Sequence, residues 1–288
     1  MEKCYLCPRG CGVDRQVNTG ACHTGDKIKI AKYMVHMWEE PPISGTKGSG
    51  CIFFSGCPLG CVYCQNKEIS RGTKGEEIST PRLAEIMLEL QNLGVHNINL
   101  VTPTHFSSQI RDAIDLVRDK LKVPVVYNTS GYEKPEEIEK MTGYVDVFLT
   151  DIKYFSPEAS RKYSHAEDYF QVTIRALEKM LELAPQVRLD EEGIIKSGVI
   201  VRHLVLPTLR HDSMKILDKL KADFSIDSFK LSLMSQYTPE FCDPKYPELC
   251  RRLTGFEYQS VLKHAIELGF DGYLQEASSA TSKYTPKF

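Results

Sequence analysis

The apolar positions of this chain change their period along its length, and the changes mark out its elements. Residues 1–50 hold no sustained period. They are rich in Gly, Cys and Lys and end in Pro41-Pro42-Ile43-Ser44-Gly45-Thr46-Lys47-Gly48-Ser49-Gly50, which reads as a turn-rich connection, with a short strand or two around 27–36. From Cys51 onward the pattern is regular. Short apolar runs at 51–54, 98–101, 123–127, 145–152, 199–206 and 229–234 predict strands. Between them the period shifts to that of a helix. Thr80-Pro81 supplies a hydroxyl N-cap and a first-turn proline; Leu83, Ile86, Met87, Leu90 and Leu93 share one face, and Gly94 ends the segment. Further helices are expected over 108–121, 134–141, 167–183, 212–220 and 258–268, with a short apolar run after them at 272–274.

Strand and helix alternate about six times, and the strands are continuous apolar runs rather than alternating ones. That pattern fits a parallel sheet buried on both faces, joined by right-handed crossovers. The fold class expected is α/β, as a partial (β/α)6 TIM-like barrel, with a doubly wound open sheet as the alternative. In either form chemistry sits at the carboxyl ends of the strands. Residues 1–48 read as a Cys-rich metal-binding segment and linker, and residues 49–288 as the main domain with a C-terminal extension.

Composition narrows the function. The 288 residues are 42% hydrophobic, enough for a large core, and the net charge of -2 comes from well-mixed acidic and basic residues. No basic stripe suggests nucleic acid, and no apolar run approaches the ~20 residues of a membrane span. The first residues lack the apolar segment of a signal peptide, so a cytoplasmic location is expected. Seven of the ten cysteines then take on meaning, because they fall in two clusters, Cys4–Cys22 and Cys57–Cys64. Clustered thiols in a reducing compartment bind metal rather than form disulfides.

The second cluster follows the first regular strand: Ser55-Gly56-Cys57-Pro58-Leu59-Gly60-Cys61-Val62-Tyr63-Cys64-Gln65-Asn66. Three thiolates so spaced can hold three irons of a [4Fe–4S] cluster and leave the fourth open to chelation by an amino acid's amine and carboxylate. A zinc knuckle would show paired CxxC units and a fourth ligand. This CxxxCxxC loop, with an aromatic before its last cysteine, resembles the radical S-adenosylmethionine (SAM) superfamily. Within it the chain is similar to the pyruvate formate-lyase activating enzymes over about residues 50–275. The closest likeness is to a branch that pairs an N-terminal Cys-rich segment with the phrase Trp38-Glu39-Glu40-Pro41-Pro42-Ile43-Ser44-Gly45. The resemblance implies one-electron reductive cleavage of SAM at the cluster. Methionine and a 5′-deoxyadenosyl radical would result, and the radical would take a hydrogen atom from substrate, a glycine of a glycyl radical enzyme in the activating enzymes. It also implies an electron donor such as flavodoxin or ferredoxin.

The resemblance extends to further strand ends. Asn128 and Thr129 match a phrase that faces SAM or a monovalent cation, and Asp151 and Lys153 match an Asp-x-Lys phrase that holds SAM. These two lie two apart, so on a strand they share a face. Arg202 and His203 fall within the fifth apolar run, and Arg202 matches an arginine that contacts SAM or substrate. One departure stands out. Where the activating enzymes carry Gly-Gly-Glu, this chain has Thr102-Pro103-Thr104-His105, so Thr102 and Thr104 are the candidates there and the carboxylate is gone. Cys4, Cys7, Cys11 and Cys22 form a C-x2-C-x3-C-x10-C set suited to zinc, with a second iron–sulfur centre as the alternative. Gln236 and Tyr237, after the sixth run, are candidate substrate contacts, and residues 240–252 read as a lid or docking loop. Cys51 reads as a core residue, and Cys242 and Cys250 as loop thiols.

Overall fold

The structure, a computed structural model, describes residues 3–274; the expected C-terminal extension beyond them lies outside the described residues. The chain opens with β1 (Ile28–His36), α1 (Pro41–Ser44), β2 (Ser49–Phe54), α2 (Lys67–Ser70) and β3 (Glu76–Ile78). The alternating part follows as α3 (Thr80–Asn92), β4 (Ile98–Val101), α4 (Ser107–Val117), β5 (Val125–Thr129), α5 (Pro135–Glu139) and β6 (Val147–Asp151). It continues through α6 (Pro157–Ser164), α7 (Tyr169–Leu183), β7 (Arg188–Leu189), β8 (Ile195–Leu204), α8 (Arg210–Asp223), β9 (Lys230–Met234), α9 (Gly255–Glu267) and β10 (Gly272–Leu274). The strands lie in the order β10-β9-β8-β6-β5-β4-β2-β1-β3, with β7 paired to β8 outside that path. From β2 to β10 every neighbouring pair is parallel. β1 runs antiparallel to β2 and β3 antiparallel to β1.

The α/β class is as expected, and the sheet is mostly parallel. It is also open: β3 and β10 stand at opposite edges. Antiparallel β1 occupies the free edge of β2 along six residue pairs, and a closing strand would need that edge. Two other expectations change. Residues 41–50 hold α1 and the start of β2 rather than an unbroken turn. α6 carries no apolar stripe in sequence; it buries Ala159, Ser160, Tyr163 and Ser164, so hydrophobic period alone passes over it.

Side-chain parity sorts the sheet into two unlike faces. Ile52, Phe54, Ile98, Leu100, Tyr127, Phe148, Val199, Val201, Leu231 and Leu233 point into one large core with apolar residues of α3, α4, α7, α8 and α9. The alternate residues face the other way. Near the amino ends of the strands Val126, Val147, Leu149 and Ile200 pack on Ile43 of α1 in a smaller cluster. Two residues further along the same strands this face becomes polar, with Asn128, Asp151 and Arg202.

A buried carboxylate ties the turns after β4 and β5 together. Thr104 and Thr129 both donate hydroxyl hydrogen bonds of 2.5 Å to Glu133 Oε1, while Oε2 has no partner. Glu133 is fully buried, and its pKa is pushed up to about 7: burial disfavours the charge, and the two hydroxyls offset only part of that. A raised carboxyl pKa means that stability is present at low pH and is lost as pH rises from the unfolded value of about 4.3 through the folded one. Glu133→Gln removes this titration. We therefore expect the two proteins to unfold at equal denaturant concentrations near pH 4 and the variant to be more stable at pH 8, by up to about 3 kcal/mol. Parallel pH profiles in urea titrations would contradict the buried charge.

Candidate active site

The three-cysteine loop leaves the carboxyl end of β2 through Ser55 and Gly56. Gly56 has φ +89, and a Cβ there would collide with the Cys22 carbonyl oxygen, so the loop can sit this close to the N-terminal segment only with glycine. Donors surround the sulfurs. The Leu59 amide lies 3.4 Å from Cys57 Sγ, and the Ser164 hydroxyl donates to Cys61 Sγ at 2.9 Å. Tyr63, the aromatic before the third cysteine, is buried; it accepts a 2.7 Å hydrogen bond from the Tyr154 hydroxyl and packs edge-on to Tyr237.

Burial pushes the Cys57 thiol up to about 12, and the neighbouring Cys61 and Cys64 add to the shift. Cys64 is raised by burial and by Cys61. Thiols raised in this way give up their protons when a metal cation binds them. That donor set fits an iron–sulfur cluster and does not fit three independent thiols. Among the described residues no three His, Cys, Asp or Glu side chains stand as a finished metal site, so this fit rests on loop placement and donor chemistry.

Opposite the loop, Arg202 organises the polar face of the sheet. Its Nε donates to Asp151 Oδ1 at 2.7 Å and its Nη2 to Asn128 Oδ1 at 2.7 Å. Nη1 lies 3.3 Å from Glu39 Oε2 and 3.8 Å from Glu40 Oε2. Lys153 Nζ meets the other Asp151 oxygen at 2.5 Å. Burial opposes the Asp151 charge, but Arg202 and Lys153 together outweigh it and hold the carboxyl below its ordinary value. Glu40 goes the other way: its burial, with Glu39 beside it, outweighs the pull of Arg202 and raises its pKa. The face thus offers fixed cations, an ionised carboxylate and hydrogen-bonding oxygens within one network. A ligand carrying both an ammonium and a carboxylate, with hydroxyls, matches that set.

Both halves open on one cavity of about 270 Å³. Cys57, Cys61 and Cys64 line one side, and Thr102, Asn128, Thr129, Asp151, Lys153 and Arg202 line the strand ends. Gln236 and Tyr237 complete another part of the wall. Thr102 holds φ +59, a conformation a threonine rarely adopts, at the very end of β4. Two expected SAM residues lie elsewhere. Thr104 is turned to Glu133, as described above. His203 follows Arg202 on β8, so parity sends it to the helix side; it is buried, with Nδ1 against the Ile152 carbonyl at 2.6 Å, and burial pushes its pKa down to about 4. His105 is likewise buried, with Nε2 2.7 Å from the Ser55 carbonyl. Asn128 and Thr129 have Arg202, Glu39 and Glu133 as partners.

Sequence reasoning missed Trp38, Glu39 and Glu40, which line the cavity from the link between β1 and α1. Two acidic residues before a Pro-Pro pair look like surface; their value as carboxylates depends on Arg202, far away in sequence. Residues 240–252 are anchored rather than free. The Asp243 amide donates to the Val62 carbonyl at 2.9 Å, the Tyr237 hydroxyl to the Leu249 carbonyl at 2.8 Å and the Tyr163 hydroxyl to Glu248 at 2.8 Å. Cys242 is buried in that contact, while Cys250 is exposed. In the N-terminal segment Cys7 and Cys22 are buried, Cys4 is half-buried and Cys11 exposed.

An uncharacterised protein of Methanocaldococcus jannaschii is 30% identical over 280 residues, covering 94% of this chain and 76% of that protein. A radical SAM methyltransferase from Sphaerobacter thermophilus shares the fold with a TM-score of 0.53 at 10% identity, over 78% of this chain and 65% of that one, just under two thirds of its length. Streptococcus suis SuiB bound to precursor peptide SuiA matches with a TM-score of 0.49 at 12% identity, over 76% of this chain and 46% of that one. The radical SAM superfamily model matches residues 51–220, well over half of the sequence, and on that match this chain belongs to the radical SAM superfamily.

Proposed function

We propose that this protein is a radical SAM enzyme whose cluster is held by Cys57, Cys61 and Cys64 and whose SAM lies in the cavity they share with Asn128, Asp151, Lys153 and Arg202. The observation that carries this reading is that shared cavity: the three thiols and the charged strand ends come from distant parts of the sequence and face one another. When bound, the cluster held by Cys57, Cys61 and Cys64 would supply the single electron for reductive cleavage of SAM. The chain's own residues hold and orient. Asp151 is kept ionised by Arg202 and Lys153, and so can accept from the ribose hydroxyls or the ammonium group. Lys153 and Arg202 present cations to the carboxylate. Glu39 lies on the same network and supplies a carboxylate that the 102–105 turn lacks.

The long helices on one face and the polar strand ends on the other support a sheet curved as a partial (β/α)6 barrel around this cavity. Its mouth, beside Gln236 and Tyr237, would admit the substrate. A glycine of a partner glycyl radical enzyme is the substrate that the resemblance to the activating enzymes favours. The missing Gly-Gly-Glu favours another protein, peptide or small molecule, and a glycyl-radical EPR signal on an added partner enzyme separates the two. Arg9 and Arg71 line the surface around the loop at Gly60, and their two guanidiniums suit an acidic electron donor such as flavodoxin or ferredoxin. Cys4, Cys7, Cys11 and Cys22 are read as ligands of zinc or of a second iron–sulfur centre, and the many free thiols suit the cytoplasm.

Anaerobically reconstituted protein given SAM and dithionite should release 5′-deoxyadenosine, measured by chromatography, and Cys61→Ala should release none. An intact cluster that yields no deoxyadenosine and whose EPR spectrum does not respond to SAM would instead mark a non-catalytic cluster carrier. Arg202→Lys keeps the charge but loses the forked donors that reach Asp151 and Asn128 together. SAM affinity, measured by anaerobic calorimetry, should fall about 10- to 100-fold, as for comparable losses of supporting contacts. Unchanged affinity would remove Arg202 from the SAM site.

A further inference from the structure

Residues 3–27 cannot hold themselves together by apolar burial. The hydrophobic residues they bury are Cys7 and Cys22, and the buried polar ones are Arg15 and Thr24. Yet the segment is folded tightly. The Cys4 amide donates to the Val13 carbonyl at 2.8 Å, the Gly12 amide to the Cys4 carbonyl at 3.0 Å and the Gly10 amide to the Cys7 carbonyl at 3.1 Å. Gly10 and Gly12 turn the chain with φ of +49 and +63. A Cβ placed on Gly20 would lie 3.4 Å from both Cys11 Sγ and Cys22 Sγ. Cys11 and Cys22 therefore flank Gly20, while among the described residues no three of these side chains stand as a finished metal site. Four cysteines at the spacing C-x2-C-x3-C-x10-C are what structural zinc takes, and it would draw them together.

The same segment is fastened to the cluster loop at several points. The Cys57 amide donates to the Cys22 carbonyl at 3.2 Å, so one residue of each cysteine set is joined directly to the other. Arg9 reaches four carbonyl oxygens: Pro58 at 2.6 Å and Leu59 at 3.5 Å on the loop, Ser164 at 2.9 Å, and His165. Ser164 is itself the donor to Cys61 Sγ. Arg15 donates to the His105 carbonyl at 2.5 Å, and the His105 ring meets Ser55, at the start of the loop. Gly56 and Gly72 lie against the carbonyls of Cys22 and His23, with no room for a Cβ.

We propose that Cys4, Cys7, Cys11 and Cys22 bind one zinc ion, and that this zinc site is a clip that sets the pose of the Cys57–Cys64 loop, with Arg9 as its positioning residue. Zinc fixes Cys22; Cys22 and Arg9 fix the loop backbone between Cys57 and Cys61; the spacing of the cluster ligands follows. The inference rests on the radical SAM reading only for what the loop holds, and the mechanical coupling is readable without a cluster.

The test uses the full chain as purified, Cys11→Ser and Arg9→Gln. Cys11 is chosen because it is exposed and its loss opens no cavity. Zinc and iron are counted by mass spectrometry, and maleimide labelling of Cys57 is followed by peptide mapping before iron is added, with exposed Cys250 as the internal reference. After reconstitution the rate of cluster loss to a chelator is followed by absorbance. Native protein should carry about one zinc per chain. Cys11→Ser should lose it, label Cys57 about tenfold faster and shed its cluster faster by a similar factor, with Cys250 labelling unchanged. Arg9→Gln should keep its zinc and its circular dichroism and still label Cys57 faster; it decides the matter should Cys11→Ser fail to fold. Native rates of Cys57 labelling in zinc-free Cys11→Ser, or in folded Arg9→Gln, would overturn the clip. Iron in place of zinc at the N-terminal cysteines would overturn the metal assignment. A native chain that never takes up a cluster, while the labelling differences persist, would sink the radical SAM reading and leave the clip standing.

Discussion

A guanidinium placed on the inner side of a buried strand has to be compensated, and the cavity is arranged around that requirement. Arg202 sits next to Asp151 in the β6–β8 register and reaches Asn128 one strand further on. Those partners leave Nη1, and Glu39 and Glu40 approach it from a segment more than 160 residues away. An uncompensated charge at this depth would cost several kcal/mol. The link between β1 and α1 is therefore drawn across the strand ends, and Trp38 comes with it to the cavity edge. One buried cation thus determines which side chains meet any ligand here.

This arrangement needs a sheet whose two faces do different work. The helix-side face supplies the burial that stabilises the domain, through apolar residues of β2, β4, β5, β6, β8 and β9 packed on the long helices. The opposite face is apolar where Ile43 plugs it and polar two residues further along each strand. Because a parallel sheet aligns its carboxyl ends, that change of character occurs at the same level in successive strands. Asn128, Asp151 and Arg202 fall into one layer without any sequence proximity.

The cysteine loop meets a different constraint. It is short and rich in turns, so its own sequence does little to fix its shape. Its pose is imposed from outside. The N-terminal segment holds Pro58 and Cys57, α6 holds Val62 and Cys61 through Tyr163 and Ser164, and the 240–252 loop holds Val62 again. Gly56 permits the closest of these approaches. Rigid support of this kind is what a cluster site requires, because ligand spacing must be set before the metal arrives.

Much of this was legible in the sequence. Apolar runs and helical stripes located the parallel strands to within a few residues, because strand and helix periods are local properties that burial on each side enforces. The CxxxCxxC spacing after the first regular strand carried the chemistry, and the i, i+2 relation of Asp151 and Lys153 put both on one face. What the sequence left open depended on contacts between distant segments. α6 was missed because it buries small and polar residues against the cysteine loop rather than an apolar stripe. Of Arg202 and His203, only strand parity in the folded sheet decided which enters the cavity. Thr104 was claimed by Glu133, and Glu39 and Glu40 became site residues only when the fold brought them to Arg202. Local pattern determines which elements form; pairing of buried charges across the sheet decides which side chains they turn toward the chemistry.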